Sequence, residues 1–279
     1  MTTLKELLVD ALEGIEGRKA WGGETFISTG YRELDKFGGL SRPGELTLIA
    51  APMEISKLEF ALNCTMSGLK VIEDLNLSIF APNLCSRLII NKLISAEGRI
   101  HREKIDTGDL DEDEKDRIVN VGRFLYSLGD RVTLSNKRNI QDIESEIESF
   151  AASSKKDRAL VLVSEVNAIE GGDVLGHLKA LALKLNIPIV ALKTLPIECT
   201  KRPDKRSKIT DLNDADRMHA DKVIFVYDDG YYNCESQWKG RAEIIVAKNI
   251  AGSVGLFFLA HQPDYCSFFN LLDEDSTDH

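Results

Sequence analysis

The sequence predicts an α/β fold: a mainly parallel sheet with helices on both faces. Three observations support this. Strand-like and helix-like patterns alternate along the chain, the order of a sheet whose strands are joined by crossover helices. Two strand candidates, ALVLV at 159–163 and IPIVAL at 187–192, are continuous apolar runs, the pattern of strands buried on both faces. The third is LTLIAAPMEISKLEFALN at 46–63, which reads as a buried strand, a loop and a helix. A phosphate-binding loop sits at such a junction.

From the N-terminus, Leu4, Leu7, Leu8, Leu12 and Ile15 share one face of an amphipathic helix over residues 4–15. Gly14, Gly17, Gly22 and Gly23 mark a flexible connection up to residue 25. Turns at Gly38-Gly39 and Pro43-Gly44 feed the first strand, and after the loop a helix over 58–66 is expected to end at Gly68. A second strand is expected at 77–80 and a helix at 87–96, with Leu88, Ile89 and Leu93 on its apolar face. The acidic stretch DTGDLDEDEKD at 106–116 reads as a solvated face at a helix start, where the helix dipole favours carboxylates. Residues 132–134 form a short strand. Ile140, Ile143, Ile147 and Phe150 define a helix over 140–152. A helix at 175–185 separates the two apolar strands. The basic loop KRPDKRSKITD at 201–211 follows them, and strands at 223–227, 243–247, 256–259 and 268–272 close the domain. One domain at 26–272 is therefore expected, preceded by a helix and connection at 1–25 and followed by an acidic tail at 273–279.

Bulk properties narrow the function classes. The 279 residues carry a net charge of −10, which disfavours non-specific nucleic-acid binding, although a local basic patch remains a candidate. The five cysteines are scattered without C-x-x-C spacing, the usage of reduced cytoplasmic thiols and not of a zinc site. No apolar run approaches the length of a membrane span, and the N-terminal stretch is amphipathic and acidic, so neither a membrane helix nor a signal peptide is expected.

The loop departs from its own pattern. On the frame G-x-x-x-x-G-K-[ST], Ala51 takes the first glycine place, Ser56 the second, Lys57 the lysine and Leu58 the hydroxyl. A Cβ at position 56 obstructs close approach of the backbone to a phosphate. Leu58 has no oxygen for Mg²⁺, and Glu54 brings a carboxylate where an anion should bind.

The segments STGYRELDKFGGL, PGELTLIAAP, LISAEGRI, TGDLDEDE, LKALALKLNIPIVALK, RPDKRSKITDL, ADKVIFVYDDGYYN and KGRAEIIVAKN occur in an order that resembles the C-terminal motor domain of DnaB-type replicative helicases. The resemblance runs from about residue 4 to about residue 272. It implies a RecA-like phosphate-loop NTPase fold, assembly as a hexameric ring, and ATP-driven 5′–3′ unwinding of DNA. The N-terminal helix resembles that family's linker helix, which docks on the adjacent protomer. The family's separate N-terminal helical domain has no counterpart in the resemblance.

Several family positions carry other residues. The family loop resembles A-R-P-S-M-G-K-T, against APMEISKL here. The glutamate of its S-L-E-M strand end, which polarises the attacking water, corresponds to Asn83; losing a general base typically costs ~10²–10⁴ in rate. The Walker B aspartate corresponds to Ser164, with Glu165 next and expected to face the other way by strand alternation. The sensor glutamine corresponds to Thr194. The trans-acting arginine of K-Q-R-N-G corresponds to Ile250, and an arginine finger is worth ~10³–10⁵ in rate. Lys248 matches a family lysine aimed at the neighbour's phosphates. Ala51, Ser56, Lys57, Leu58 and Lys248 thus make a vestigial nucleotide site for ATP, without the usual Mg²⁺ ligands.

DNA contact is weakened in the same way. Residues 166–173, after the Walker B strand, hold no Lys or Arg, and Glu144, Glu146 and Glu148 occupy a helix that is Arg-rich in the family. Lys201, Arg202, Lys205, Arg206 and Lys208 remain as candidate nucleic-acid or partner contacts. The expected function is a catalytically defective DnaB-type homologue in DNA replication. It would be a non-hydrolysing ring subunit, in a homo-oligomer or a mixed ring, or a regulator of an active helicase. The alternatives are an active helicase with atypical chemistry and a decaying, prophage-type paralogue.

Overall fold

The computed structural model describes Leu4, Leu8 and residues 26–154 and 158–271. The helix and connection expected over 1–25 lie outside the described residues, except that Leu4 and Leu8 are helical and exposed. The acidic tail at 273–279 lies outside them too.

The chain enters through STGYRELDKFGGL. Asp35, on α1 (Arg32–Lys36), accepts from Ser28 Oγ at 2.6 Å, Thr29 N at 2.9 Å and Thr29 Oγ1 at 2.8 Å, which closes this segment on itself. It then passes into β1 (Leu46–Ala51) and α2 (Lys57–Val71). β2 (Asn76–Phe80), α3 (Ser86–Gly98), α4 (Arg102–Thr107), α5 (Glu112–Leu128) and β3 (Val132–Ser135) follow. Next come α6 (Ile140–Ser153), β4 (Ala159–Val163), α7 (Val174–Leu185) and β5 (Ile189–Thr194). The remainder is α8 (Asp214–His219), β6 (Lys222–Tyr227), α9 (Asp229–Tyr232), β7 (Arg241–Asn249), β8 (Gly255–Gln262) and β9 (Ser267–Asn270).

The nine strands form one sheet in the order β3-β2-β4-β5-β1-β6-β7-β8-β9. From β3 to β6 every pair is parallel, and β7, β8 and β9 add an antiparallel extension. The alternation of strand and helix is legible in the sequence, and so are strands near 243–247, 256–259 and 268–272; the structure adds that these last three pair antiparallel, as strands joined by short connections can. β4 shows why ALVLV is apolar throughout. Leu160 and Leu162 enter the core under α2 and α3, while Ala159, Val161 and Val163 enter the core under α6 and α7. Parallel strands all end on one edge, so the loops after β1, β4 and β5 converge where ligands bind in open α/β sheets.

Two local expectations need correction. Gly68 does not end a helix: α2 runs on to Val71, and Gly68 is buried within it. A Cβ there would lie 2.7 Å from Ile27 Cγ2, so the glycine lets the entering segment pass close to the helix. The acidic stretch is more than a solvated face. Asp111 accepts from Glu114 N at 2.8 Å and Glu114 accepts from Asp111 N at 3.0 Å, a capping box that starts the 17-residue α5.

Candidate functional site

The loop after β1 is folded back on itself. Ile55 N donates to Pro52 O at 3.2 Å and Lys57 N donates to Ile55 O at 2.7 Å, so two amides of the loop are directed at its own carbonyls. Ser56 has φ −68°, a backbone that needs no glycine. Ala51 is buried at the strand end, its carbonyl accepting from Leu195 N at 2.9 Å. Lys57 opens α2 and is 6% exposed. Its ammonium forms no hydrogen bond or ion pair among the described residues. Burial pushes its pKa down, and the nearby carboxylates of Glu165, Glu59 and Glu54 oppose that shift.

Beside it lies a cleft of about 610 Å³. Lys57, Leu58, Asn83, Ser164 and Thr194, five positions singled out by sequence, line it together with Glu165. The orientation expected for Glu165 is overturned. β4 ends at Val163, and Glu165, with φ −159° and ψ 85°, has left the strand, so alternation no longer sets its direction. Its Oε2 accepts from Thr194 Oγ1 at 2.8 Å, while Oε1 is buried without a partner. Asn167, not anticipated from sequence, clamps Thr194 from both sides of its peptide: Oδ1 accepts from Thr194 N at 3.0 Å and Nδ2 donates to Thr194 O at 3.2 Å. Ser164 is 3% exposed and its Oγ has no partner. Asn83 is exposed at the mouth.

Chemically, Lys57 offers one cation to an anion, and that much of a phosphate site fits. A metal held at the helix start does not fit, because Leu58 puts a hydrocarbon there. Among the described residues no group of three or more His, Cys, Asp or Glu is arranged to hold a metal ion. A second cavity, about 310 Å³, flanks the loop on the Ser56 side. It contains a pair that has no signal in the sequence: His261 Nδ1 lies 2.8 Å from Asp228 Oδ2, 33 residues away, and His261 is 4% exposed.

The remaining sequence-selected residues lie elsewhere. Lys248 and Ile250 are at the far end of β7, against the start of β6. Lys248 Nζ donates to Arg217 O at 2.7 Å and Ala220 O at 2.5 Å, so it caps α8 of its own chain. Ile250 is 63% exposed. The basic loop is internally matched. Arg202 pairs with both oxygens of Asp211 at 2.5 and 2.8 Å, and Arg206 with both oxygens of Glu243 at 2.6 and 2.5 Å. Lys201 faces Glu198 at 3.5 Å, Lys208 faces Asp204 at 3.4 Å, and Lys205 lies over the Tyr232 ring.

A buried lysine at the start of a helix, after a central strand of a parallel sheet flanked by its two switch-point neighbours, defines the class: an α/β protein of the phosphate-loop NTPase type. Comparison with known proteins gives the family. The model of the DnaB-like helicase C-terminal domain matches residues 26–270, and the chain belongs to that family. It is 28% identical over 283 residues to the replicative DNA helicase DnaB of Geobacillus stearothermophilus, covering 96% of this chain and 62% of that protein. The chain thus spans about three fifths of that relative's length. Among solved structures, one ATPase domain superposes with a TM-score of 0.86 at 25% identity, covering 98% of this chain and all of that one. A DnaB-like replicative helicase, solved in a study of its interactions with primase, shares the fold with a TM-score of 0.80 at 24% identity, covering 98% of this chain and 68% of that one.

Proposed function

We propose that this chain is a DnaB-type ring subunit that does not turn over ATP at a helicase's rate, and that it acts in DNA replication as a structural or regulatory partner of an active helicase. One observation carries the reading. The helix that should present a metal-binding hydroxyl presents Leu58, behind a loop whose Ile55 and Lys57 amides are already bonded within it. Neither feature is remedied elsewhere in the cleft: Asn83 cannot take a proton at neutral pH, and Ile250 supplies no cation to a neighbour. ATP remains the ligand class that Lys57 suits, through one phosphate contact and without the usual metal ligands. The internal pairing of the basic loop and the absence of Lys or Arg at 166–173 support weakened binding of single-stranded DNA.

A second reading has an observation of its own. Glu165 faces the cleft with a free carboxylate oxygen, where it could orient a water, which favours an active helicase with atypical chemistry. Steady-state ATP hydrolysis with and without single-stranded DNA decides between them, with Lys57→Ala exposing contaminating activity. Turnover indistinguishable from the Lys57→Ala variant is expected. Turnover that vanishes in both Lys57→Ala and Glu165→Gln overturns the first reading in favour of the second.

A further inference from the structure

The charges of the cleft after β1 balance. Among the described residues, the charged side chains lining its volume of about 610 Å³ are Lys57, Glu59, Lys92 and Glu165. Glu59 and Lys92 form an ion pair with each other. One cation and one carboxylate are left, and neither is satisfied. The Lys57 ammonium forms no hydrogen bond or ion pair among the described residues, and Glu165 Oε1 is buried without a partner. Ser164 Oγ is a third buried group without one. Lys57 and Ser164 are each more than nine-tenths buried, at 6% and 3% exposure.

These groups are held in place. Glu165 Oε2 accepts from Thr194 Oγ1 at 2.8 Å, and Asn167 bonds both sides of the Thr194 peptide, so Oε1 is not free to swing towards another donor. Ser164 N donates to Phe80 O at 2.8 Å, which fixes the backbone carrying the hydroxyl. The rest of the cleft offers hydrocarbon: Leu58 and Leu84 are half-buried in its wall, and Met53 and Leu88 are exposed at its mouth. Its volume lies within the ~300–1,000 Å³ of small-molecule sites. A ligand that satisfies every group brings an anion for Lys57 and the Ser164 hydroxyl, a cationic donor for Glu165, and an apolar side. A triphosphate answers Lys57 and sets its remaining charge against Glu165. An aliphatic carboxylate leaves Glu165 unpaired and an aliphatic amine leaves Lys57 unpaired, and a buried charge left without a partner is costly.

We infer that the cleft binds a free α-amino acid with a branched or aromatic apolar side chain. The carboxylate accepts from Lys57 Nζ and Ser164 Oγ, the ammonium donates to Glu165 Oε1, and the side chain packs on Leu58 and Leu84 beneath Met53 and Leu88. The zwitterion adds no net charge to a cleft that has none to neutralise. The inference goes beyond the ring-subunit reading and does not depend on it. ATP reaches the same Lys57 ammonium, so the two ligands compete.

Isothermal titration calorimetry of the full chain with L-leucine and L-phenylalanine tests it, with thermal melts as the folding control for variants. Both amino acids are expected to bind. L-Leucinamide, which lacks the carboxylate, and isocaproate, which lacks the ammonium, are each expected to bind at least ~10-fold more weakly, the usual worth of a hydrogen bond to a charged group. Glycine is expected to lose a similar factor with its side chain. Glu165→Gln should weaken L-leucine and leave isocaproate unchanged, whereas Lys57→Met should weaken both. Absence of binding by either amino acid at millimolar concentration overturns the inference. So does isocaproate binding as tightly as L-leucine, or L-leucine binding unchanged by Glu165→Gln. The ligand series on the wild type keeps the test valid if a variant fails to fold. None of these outcomes touches ATP turnover, which tests the ring-subunit reading separately.

Discussion

Replacing Arg206 with alanine separates a structural basic loop from a nucleic-acid contact. Arg206 donates to both oxygens of Glu243 at 2.6 and 2.5 Å, and its guanidinium stands 4.9 Å from the Tyr227 ring centroid. Glu243 lies within β7 and is 3% exposed, so the substitution leaves a buried carboxylate without its counter-ion. Breaking a fully buried pair costs about 3–5 kcal/mol. The Arg206 side chain is itself 40% exposed, so solvent screens part of the pair, and we expect about 2–3 kcal/mol. Urea unfolding measures this directly. Arg206→Ala should lower the midpoint while leaving the slope unchanged, and adding Glu243→Ala should recover part of the loss, because no uncompensated charge then remains. Lys201→Ala and Lys208→Ala, which remove exposed and weakly paired lysines, should change stability by less than about 0.5 kcal/mol. A stability loss below about 0.5 kcal/mol for Arg206→Ala, accompanied by a large drop in single-stranded DNA affinity, would refute the argument and make the loop a nucleic-acid surface.

Gly68→Ala should destabilise the domain even though alanine is the better helix former. The new methyl falls 2.7 Å from Ile27 Cγ2, and overpacking of this kind costs about 1–3 kcal/mol against a propensity gain of about 1 kcal/mol; equal or raised melting temperature would show that the entering segment yields freely. Lys222 gives a pH dependence. It is 1% exposed, its ammonium donates to Gly38 O at 3.0 Å and Gly39 O at 2.8 Å, and burial pushes its pKa from 10.5 down to about 8. Between pH 8 and 10.5 the unfolded chain binds this proton more tightly than the folded one, so the contribution to stability rises with pH and is lost as pH falls towards 8. Measured against Lys222→Met, wild-type stability should gain about 1.5 kcal/mol from about pH 8 to about pH 9.5, and parallel pH profiles for the two proteins would rule the depressed pKa out.

The architecture and most of one cleft were legible in the chain before it folded. Continuous apolar runs placed β4 and β5 at the centre of a parallel sheet, since only strands covered on both faces need to be apolar at every position. The strand–loop–helix at 46–63, together with positions 83, 164 and 194, named five residues that line a single cleft. Periodicity, run length and the loop frame at 51–58 are local signals, whereas positions 83, 164 and 194 come from the resemblance to DnaB-type helicases. The rest depends on partners distant in the chain. Glu165 turns into the cleft because its strand ends two residues earlier and Thr194, 29 residues on, holds its carboxylate. Lys248 caps α8, 28 residues before it, where the motif frame suggested a neighbour's phosphate. Gly68 is explained by Ile27, and the charge of Arg206 is answered by Glu243, 37 residues away. A periodic pattern reports which face of an element is buried. Which side chain meets a given charge is set by the register and crossing of elements, and those exist only once the sheet has assembled.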